Sequence, residues 1–193
     1  MNKPYIEIRH EEFSRSLSYR SYKPEKGFNA VITDAPYDLT KSEILAYHNV
    51  FLDICIGVII VFMPPKNPWV DGADQLLFWA KPISTKNTCK NYSNFMEQIF
   101  VYGRNAWNTD RHWSNYVNIF VDRVDTVKNH SFRKPPSLIE RLILNHTNEG
   151  DWVLDPFAGS GVVPELCKKL GRNCVAFERD EEYYNHILSI LED

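Results

Sequence analysis

Two short segments of the chain carry residue types suited to group transfer. The later one, Asp155-Pro156-Phe157-Ala158-Gly159-Ser160-Gly161, joins the apolar run Trp152-Val153-Leu154 to the helical pattern Val162 to Leu170. Strand, Gly-rich turn and helix in that order make a ligand seat. Gly159 and Gly161 allow a sharp turn and the close approach of a ligand, and the helix start offers unpaired N–H groups. The next strand, Asn173 to Phe177, ends at Glu178, 19 positions after Gly159 (178 − 159), a spacing that suits a carboxylate to ribose hydroxyls. That spacing alone fits a dinucleotide and S-adenosylmethionine equally. Asp155 at the mouth of the turn separates them, because a carboxylate there repels a pyrophosphate and attracts a sulfonium or an ammonium.

The earlier segment, Asp34-Ala35-Pro36-Tyr37, follows the apolar strand Phe28 to Thr33 and so falls at a strand's C-terminal end, where open α/β sheets place their ligands. Its chemistry suits an exocyclic amine such as adenine N6, whose lone pair is delocalised into the ring. Two acceptors, the Asp34 carboxylate and the Ala35 carbonyl, would take both N–H hydrogens and localise that pair. A hydrogen bond to a charged acceptor contributes about 1.5–3 kcal/mol and strengthens as positive charge grows on nitrogen. Pro36 holds Ala35 extended, and Tyr37 offers a face for stacking a base.

The order and spacing of these segments resemble those of the β-class DNA amino-methyltransferases, in which a D-P-P-Y motif precedes the S-adenosylmethionine motif. Leu76 to Pro82 is similar to that family's apolar-Trp-x-Lys strand, Phe95 to Arg104 resembles its strand ending in Tyr-Gly, and His130 to Pro135 resembles its H-P-T-Q-K-P segment. The resemblance runs from about Phe28 to the C-terminus. It implies a Rossmann-like α/β methyltransferase fold with a mainly parallel sheet flanked by helices and a circularly permuted motif order. It also implies catalytic roles for Asp34, Ala35, Pro36 and Tyr37. The cofactor would be S-adenosylmethionine, seated by Asp155 through Gly161, Glu178 and Arg179, with Lys134, Pro135 and Ser137 beside its methionine end. The chain departs from the family at Ala35, which stands where the family has its first proline. The implied reaction is methylation of adenine N6 in double-stranded DNA, favoured by Asp34, with cytosine N4 or adenine in RNA as alternatives. A reading of another class is a catalytically weak subunit that only binds nucleic acid.

The stretch at about 104–130 stands where the family carries target recognition, as a short insertion in one domain spanning 1–193. Aromatic, amide and basic side chains interleave there, and Arg104, Trp107, Arg111, Trp113, Tyr116, Arg123 and Lys128 are its candidate nucleic-acid contacts. From Val101 to Pro136, six basic residues face three acidic ones, a local charge of +3 (6 − 3) in a chain of net charge −3. A local positive surface fits phosphate contact beside a flipped base. So short a stretch suggests a small site, loose specificity or help from a second subunit, a homodimer by analogy with the family.

These residues need a core to position them. The chain has 193 residues and 44% apolar content, enough for one compact unit. No run reaches the ~20 apolar residues of a membrane span, and Met1 to Arg20 does not resemble a signal peptide, so a cytoplasmic protein of prokaryotic or viral origin is expected. The longest apolar run, Ile54 to Met63, reads as a buried strand, and Ser137 to Leu144 as an amphipathic helix whose body packs on the core. Cys55, Cys89, Cys167 and Cys174 lack metal-site spacing and read as free thiols, so no metal is expected. His48, His146 and His186 read as surface or satisfied residues. Pro64 to Pro68 forms a loop on the rim, and residues 1–26 show no periodicity beyond Ile6 and Ile8.

Overall fold

The computed structural model describes residues 3–13, 24–63, 69–81, 96–103, 108, 110–122, 125–127 and 130–192, with backbone only at 113, 125–127 and 130–132. Eight strands form one sheet: β1 (Ile6–His10), β2 (Phe28–Asp34), β3 (Cys55–Met63), β4 (Gln75–Ala80), β5 (Met96–Tyr102), β6 (Ile119–Val121), β9 (Trp152–Asp155) and β10 (Asn173–Glu178). Their spatial order is β1-β10-β9-β2-β3-β5-β4-β6. Only β5 runs against the others. A separate antiparallel pair, β7 (Asp125–Val127) and β8 (His130–Arg133), precedes helix α2 (Pro136–His146).

Helices cover both faces, which is why β2 and β3 read as continuous apolar runs rather than alternating ones. On one face α2, α3 (Val162–Leu170) and α4 (Glu181–Glu192) bring Leu138, Leu142, Val163, Leu166 and Ile187 against Ile32, Ile60 and Phe62. On the other, α1 (Lys41–Ile54) brings Ile44, Tyr47, Phe51 and Ile54 against Val31, Ile59 and Val61, with Phe13 and Trp69 filling the margins.

Three elements differ from the sequence reading. The apolar run beginning at Ile54 is not a single strand, because Ile54 closes α1 and the strand starts at Cys55. Helix α1 itself was not anticipated, although Thr40 and Glu43 form a capping box that marks its start: Glu43 N–H donates to Thr40 Oγ1 at 3.3 Å, and Thr40 N–H to the Glu43 carboxylate at 3.0 Å. The residues around Ile6 and Ile8 form edge strand β1, aligned with β10 from Ile6↔Cys174 to His10↔Glu178, and Arg9 there pairs with Glu7.

His48 is a satisfied core residue: burial lowers its pKa, and the neutral ring accepts the Trp69 indole N–H at 3.2 Å. Cys55, Cys167 and Cys174 are free thiols, and burial pushes Cys55 up to about 11. Arg15, Arg20, Cys89 and the Pro64 to Pro68 loop lie outside the described residues. Among the described residues no helix is long and apolar enough to cross a membrane, and no His, Cys, Asp or Glu cluster is arranged to hold a metal.

Candidate active site

Parallel pairing of β2 with β9 aligns Ala30 with Val153 and Val31 with Leu154, so the two motif segments leave adjacent strand ends. Thr33 Oγ1 donates to Asp155 Oδ1 at 2.9 Å, and Phe157 N–H donates to the same oxygen at 3.2 Å. The sequence reading put Asp155 at the mouth of the turn. As the last residue of β9, it lies instead beneath the turn, 2% exposed, on the wall of a small cavity of about 90 Å³. Burial raises its carboxyl to about 7, opposed by the hydrogen bonds from Thr33 and Phe157.

The turn is closed by its own backbone and by Glu178. Gly159 and Gly161 have φ of 49° and 75°, in the left-handed region where a Cβ is disfavoured. A Cβ on Gly161 would also come within 2.8 Å of Ile187 Cγ1. Gly159 N–H donates to Glu178 Oε2 and Asp180 N–H to Glu178 Oε1, each at 2.8 Å. A carboxylate oxygen accepts more than one hydrogen bond, so Glu178 keeps acceptor capacity toward the cleft it lines.

That cleft, about 700 Å³, runs from the Asp34 to Tyr37 loop past Phe157 and Gly159 to Phe177, Glu178 and Tyr183. Among the described residues lining it, Glu11, Glu12, Asp34, Asp38, Glu43, Glu178 and Asp180 are acidic and Arg179 is the single base. Such a wall favours a cation. Glu11, Glu12 and Phe13 were not anticipated, and it is the pairing of β1 with β10 that brings them here.

Asp34 lines both the cleft and the small cavity. Its Oδ2 accepts a hydrogen bond from Lys134 Nζ, whereas Oδ1 is buried without a hydrogen-bond partner among the described residues. Burial raises the Asp34 carboxyl above the usual range, and Lys134 opposes that rise. Lys134 Nζ also lies 3.2 Å from Glu97 Oε2, and Glu97 Oε1 pairs with Lys81. Glu97 had no role in the sequence reading, since nothing local marks a buried carboxylate in β5. Ala35 is buried, while Tyr37 is 42% exposed on the cleft wall. Its phenol is held above its normal pKa by burial and by Asp34, and stays neutral.

Other candidates are not brought to the cleft. Ser137 is exposed and donates to Asp122, because Leu138 and Ile139 turn the buried side of α2 inward. Arg111, expected at nucleic acid, instead donates to Asn145 Oδ1 at 3.0 Å and Asn115 Oδ1 at 3.3 Å. Tyr116 donates to the Asn108 carbonyl, and Asn108 N–H to the Asn145 carbonyl at 2.7 Å. These bonds tie the segment 108–118 to the end of α2. Arg104, Trp107, Arg123 and Lys128 lie outside the described residues, as does the Trp113 side chain.

The architecture is an α/β methyltransferase fold. The M1.HpyAVI–SAM complex superposes with a TM-score of 0.76 at 22% identity, covering 95% of this chain and 98% of that one. PvuII DNA methyltransferase (cytosine-N4-specific) gives 0.76 at 16% identity over 99% and 89%. The family model for DNA methylases, N6/N4 methyltransferases, matches residues 74–189, more than half of the chain. The chain belongs to this family. It is 29% identical over 122 residues to the type II methyltransferase M2.DpnII of Streptococcus pneumoniae, covering 54% of this chain and 46% of that protein. It is 48% identical over 56 residues to M.HpaI of Haemophilus parainfluenzae, covering 29% and 18%. The chain thus spans less than half the length of these curated relatives.

Proposed function

We propose that the chain is a DNA methyltransferase that transfers a methyl group from S-adenosylmethionine to adenine N6. The observation that carries this reading is Asp34, which lines the same acidic cleft as the Gly159 turn and whose Oδ1 has no hydrogen-bond partner among the described residues.

The residues present fit such a cofactor. Glu178, its oxygens fixed by two backbone amides, is the acceptor for the ribose hydroxyls, and Phe177 and Tyr183 flank it. Asp155 and the acidic wall complement a sulfonium and an ammonium. When bound, the cofactor supplies an electrophilic methyl.

The remaining chemistry belongs to the chain. Asp34 Oδ1 and the Ala35 carbonyl accept the two N–H groups of the target amine and localise its lone pair. Negative charge on Asp34 then meets the positive charge growing on nitrogen, an interaction stronger in the transition state than in the ground state. The proton lost after transfer leaves to water in the open cleft. Tyr37 supplies the stacking face for the expelled base, and the 104–130 region, including Arg104, Trp107, Trp113, Arg123 and Lys128, supplies the DNA-facing groups.

Cytosine N4 is the second reading, favoured by the likeness to the cytosine-N4-specific PvuII enzyme across nearly the whole chain. The test is transfer of labelled methyl from S-adenosylmethionine to unmethylated duplex DNA, followed by mass spectrometry of the nucleosides. N6-methyladenine is the expected product. N4-methylcytosine would keep the mechanism and change the base, and cofactor binding without label in DNA would overturn the DNA reading.

A further inference from the structure

Lys134 sits in a row of alternating charges whose two inner members, Lys134 and Glu97, are buried. Its ammonium, with the side chain 4% exposed, bonds Asp34 Oδ2 and lies 3.2 Å from Glu97 Oε2. Phe62, Trp79 and Tyr37 wall it in, with ring centroids 5.6, 5.8 and 6.0 Å away. Glu97 in turn pairs with Lys81, whose ammonium rests 4.7 Å from the Trp79 ring centroid. The row Lys81, Glu97, Lys134, Asp34 thus leads from the end of β4 through β5 and the residue after β8 to the cleft.

We propose that Lys134 is a positioning residue for methyl transfer, holding Asp34 ionised with Oδ1 left open for the target amine, while Glu97 and Lys81 fix Lys134 in place. This rests on Asp34 being the amine acceptor.

The physical argument starts from burial, which favours the protonated form of a carboxyl group. A protonated Asp34 would lack the charge that the transition state requires and would carry a donor where an acceptor is needed. Lys134 supplies the compensating cation by taking Oδ2, and Oδ1 has no hydrogen-bond partner among the described residues. An uncompensated ammonium beside the reacting nitrogen would oppose the charge developing there. Glu97 offsets it, and Lys81 balances Glu97, so every charge in the row has a partner of opposite sign. Among the described residues, the groups facing Asp34 are Lys134, Glu97, Lys81, Tyr37 from its own loop and Asp155 from β9. Only the two lysines favour its ionised form.

The experiment compares the full chain with Lys134→Met, Lys134→Arg and Lys81→Met. Two quantities are read: the pH profile of single-turnover methyl transfer to duplex DNA, and the pH midpoint of the Asp34 carboxyl carbon by NMR, assigned with Asp34→Asn. In Lys134→Met the acid limb and the carboxyl midpoint are expected to move alkaline by at least about one unit, a tenfold weaker ionisation. Lys134→Arg should restore both, and Lys81→Met should move them the same way by less. An unmoved carboxyl midpoint overturns the proposal, as does a uniform loss of rate with an unmoved profile. Should Lys134→Met not fold, the Lys81→Met midpoint decides in its place. Should the unmodified protein transfer no methyl, the methyltransferase reading fails by itself, and the NMR midpoints still report whether Lys134 governs Asp34.

Discussion

Thr33 and Asp155, 122 residues apart in the chain, share a 2.9 Å hydrogen bond between Thr33 Oγ1 and Asp155 Oδ1. It joins the strand carrying the Asp34 loop to the strand carrying the Gly159 turn, so the proposed amine-acceptor side and the proposed cofactor side of the site hold a common register.

Burial of Asp155 sets a pH dependence, which the Thr33 bond moderates. Asp155 titrates at about 7 when folded and at about 4 in an unfolded chain. The folded protein therefore binds this proton more tightly, a contribution to ligand-free stability that is complete below about pH 4 and lost as the pH rises through 7. A cationic cofactor prefers the ionised form, so its affinity should fall as the pH drops below 7. Calorimetric titration between about pH 5.5 and 8.5 checks this. Asp155→Asn should stabilise the ligand-free protein at pH 8 by about 1–3 kcal/mol in urea denaturation and flatten the pH dependence. Thr33→Val, which removes a bond favouring the ionised form, should move the affinity midpoint alkaline.

Asp34→Asn keeps the shape of the acceptor and removes its charge. Methyl transfer should fall by about 10²–10³-fold, while cofactor affinity stays within a few-fold. Single-turnover rates beside calorimetry separate the two, and a variant that kept its rate would exclude Asp34 from the chemistry.

Tyr37 is assigned through its ring, since its phenol stays neutral. Tyr37→Phe should therefore retain transfer, and Tyr37→Ala should weaken binding of DNA carrying an unpaired target base by about 1–3 kcal/mol. Equilibrium binding measured by fluorescence anisotropy reads this.

Two glycines separate conformation from space. Gly150 has φ of +85° with nothing near a built Cβ, whereas Gly161 has φ of +75° and meets Ile187 at 2.8 Å. Gly150→Ala should cost about 1–2 kcal/mol from backbone strain alone. Gly161→Ala should cost about 2–4 kcal/mol, because overpacking against Ile187 adds to the strain. Urea denaturation of both variants measures the difference.

Asn145 is buried between the segment 108–118 and α2, accepting from Arg111 and donating to the Asn115 carbonyl at 2.8 Å. Asn145→Ala should cost about 1–3 kcal/mol and speed proteolytic cleavage within that segment, with cofactor affinity unchanged.

What was legible in the sequence was local. Helix α3 begins and ends where its apolar periodicity does, and Glu178 meets the Gly159 amide because a helix and a strand of fixed rise, α3 and β10, join the two. Helix α1 escaped because Ile54 and Cys55 pass from helix to strand with no glycine or proline between them, although the Thr40 and Glu43 cap was there to be read. The partnership of Lys134 with Asp34 spans 100 residues. The family resemblance implied a cofactor neighbour for Lys134, and only the tertiary packing that sets the residue after β8 against the ends of β2 and β5 brings its ammonium to a carboxylate. Arg111 was read from its charge, whereas the amides of Asn145 and Asn115 determine where it points.

The alternating row from Lys81 to Asp34 sums to zero charge, and a neutral row has a field that dies away within a few ångströms. Mobile ions act on fields that reach into solvent and screen a neutral row with a buried centre far less. Phosphate encounter on the proposed DNA-facing side would be open to those ions and would weaken steeply with salt. Ionic strength thereby becomes a means of resolving encounter from chemistry: raising it should slow the capture of DNA and leave the rate of the bound complex nearly constant.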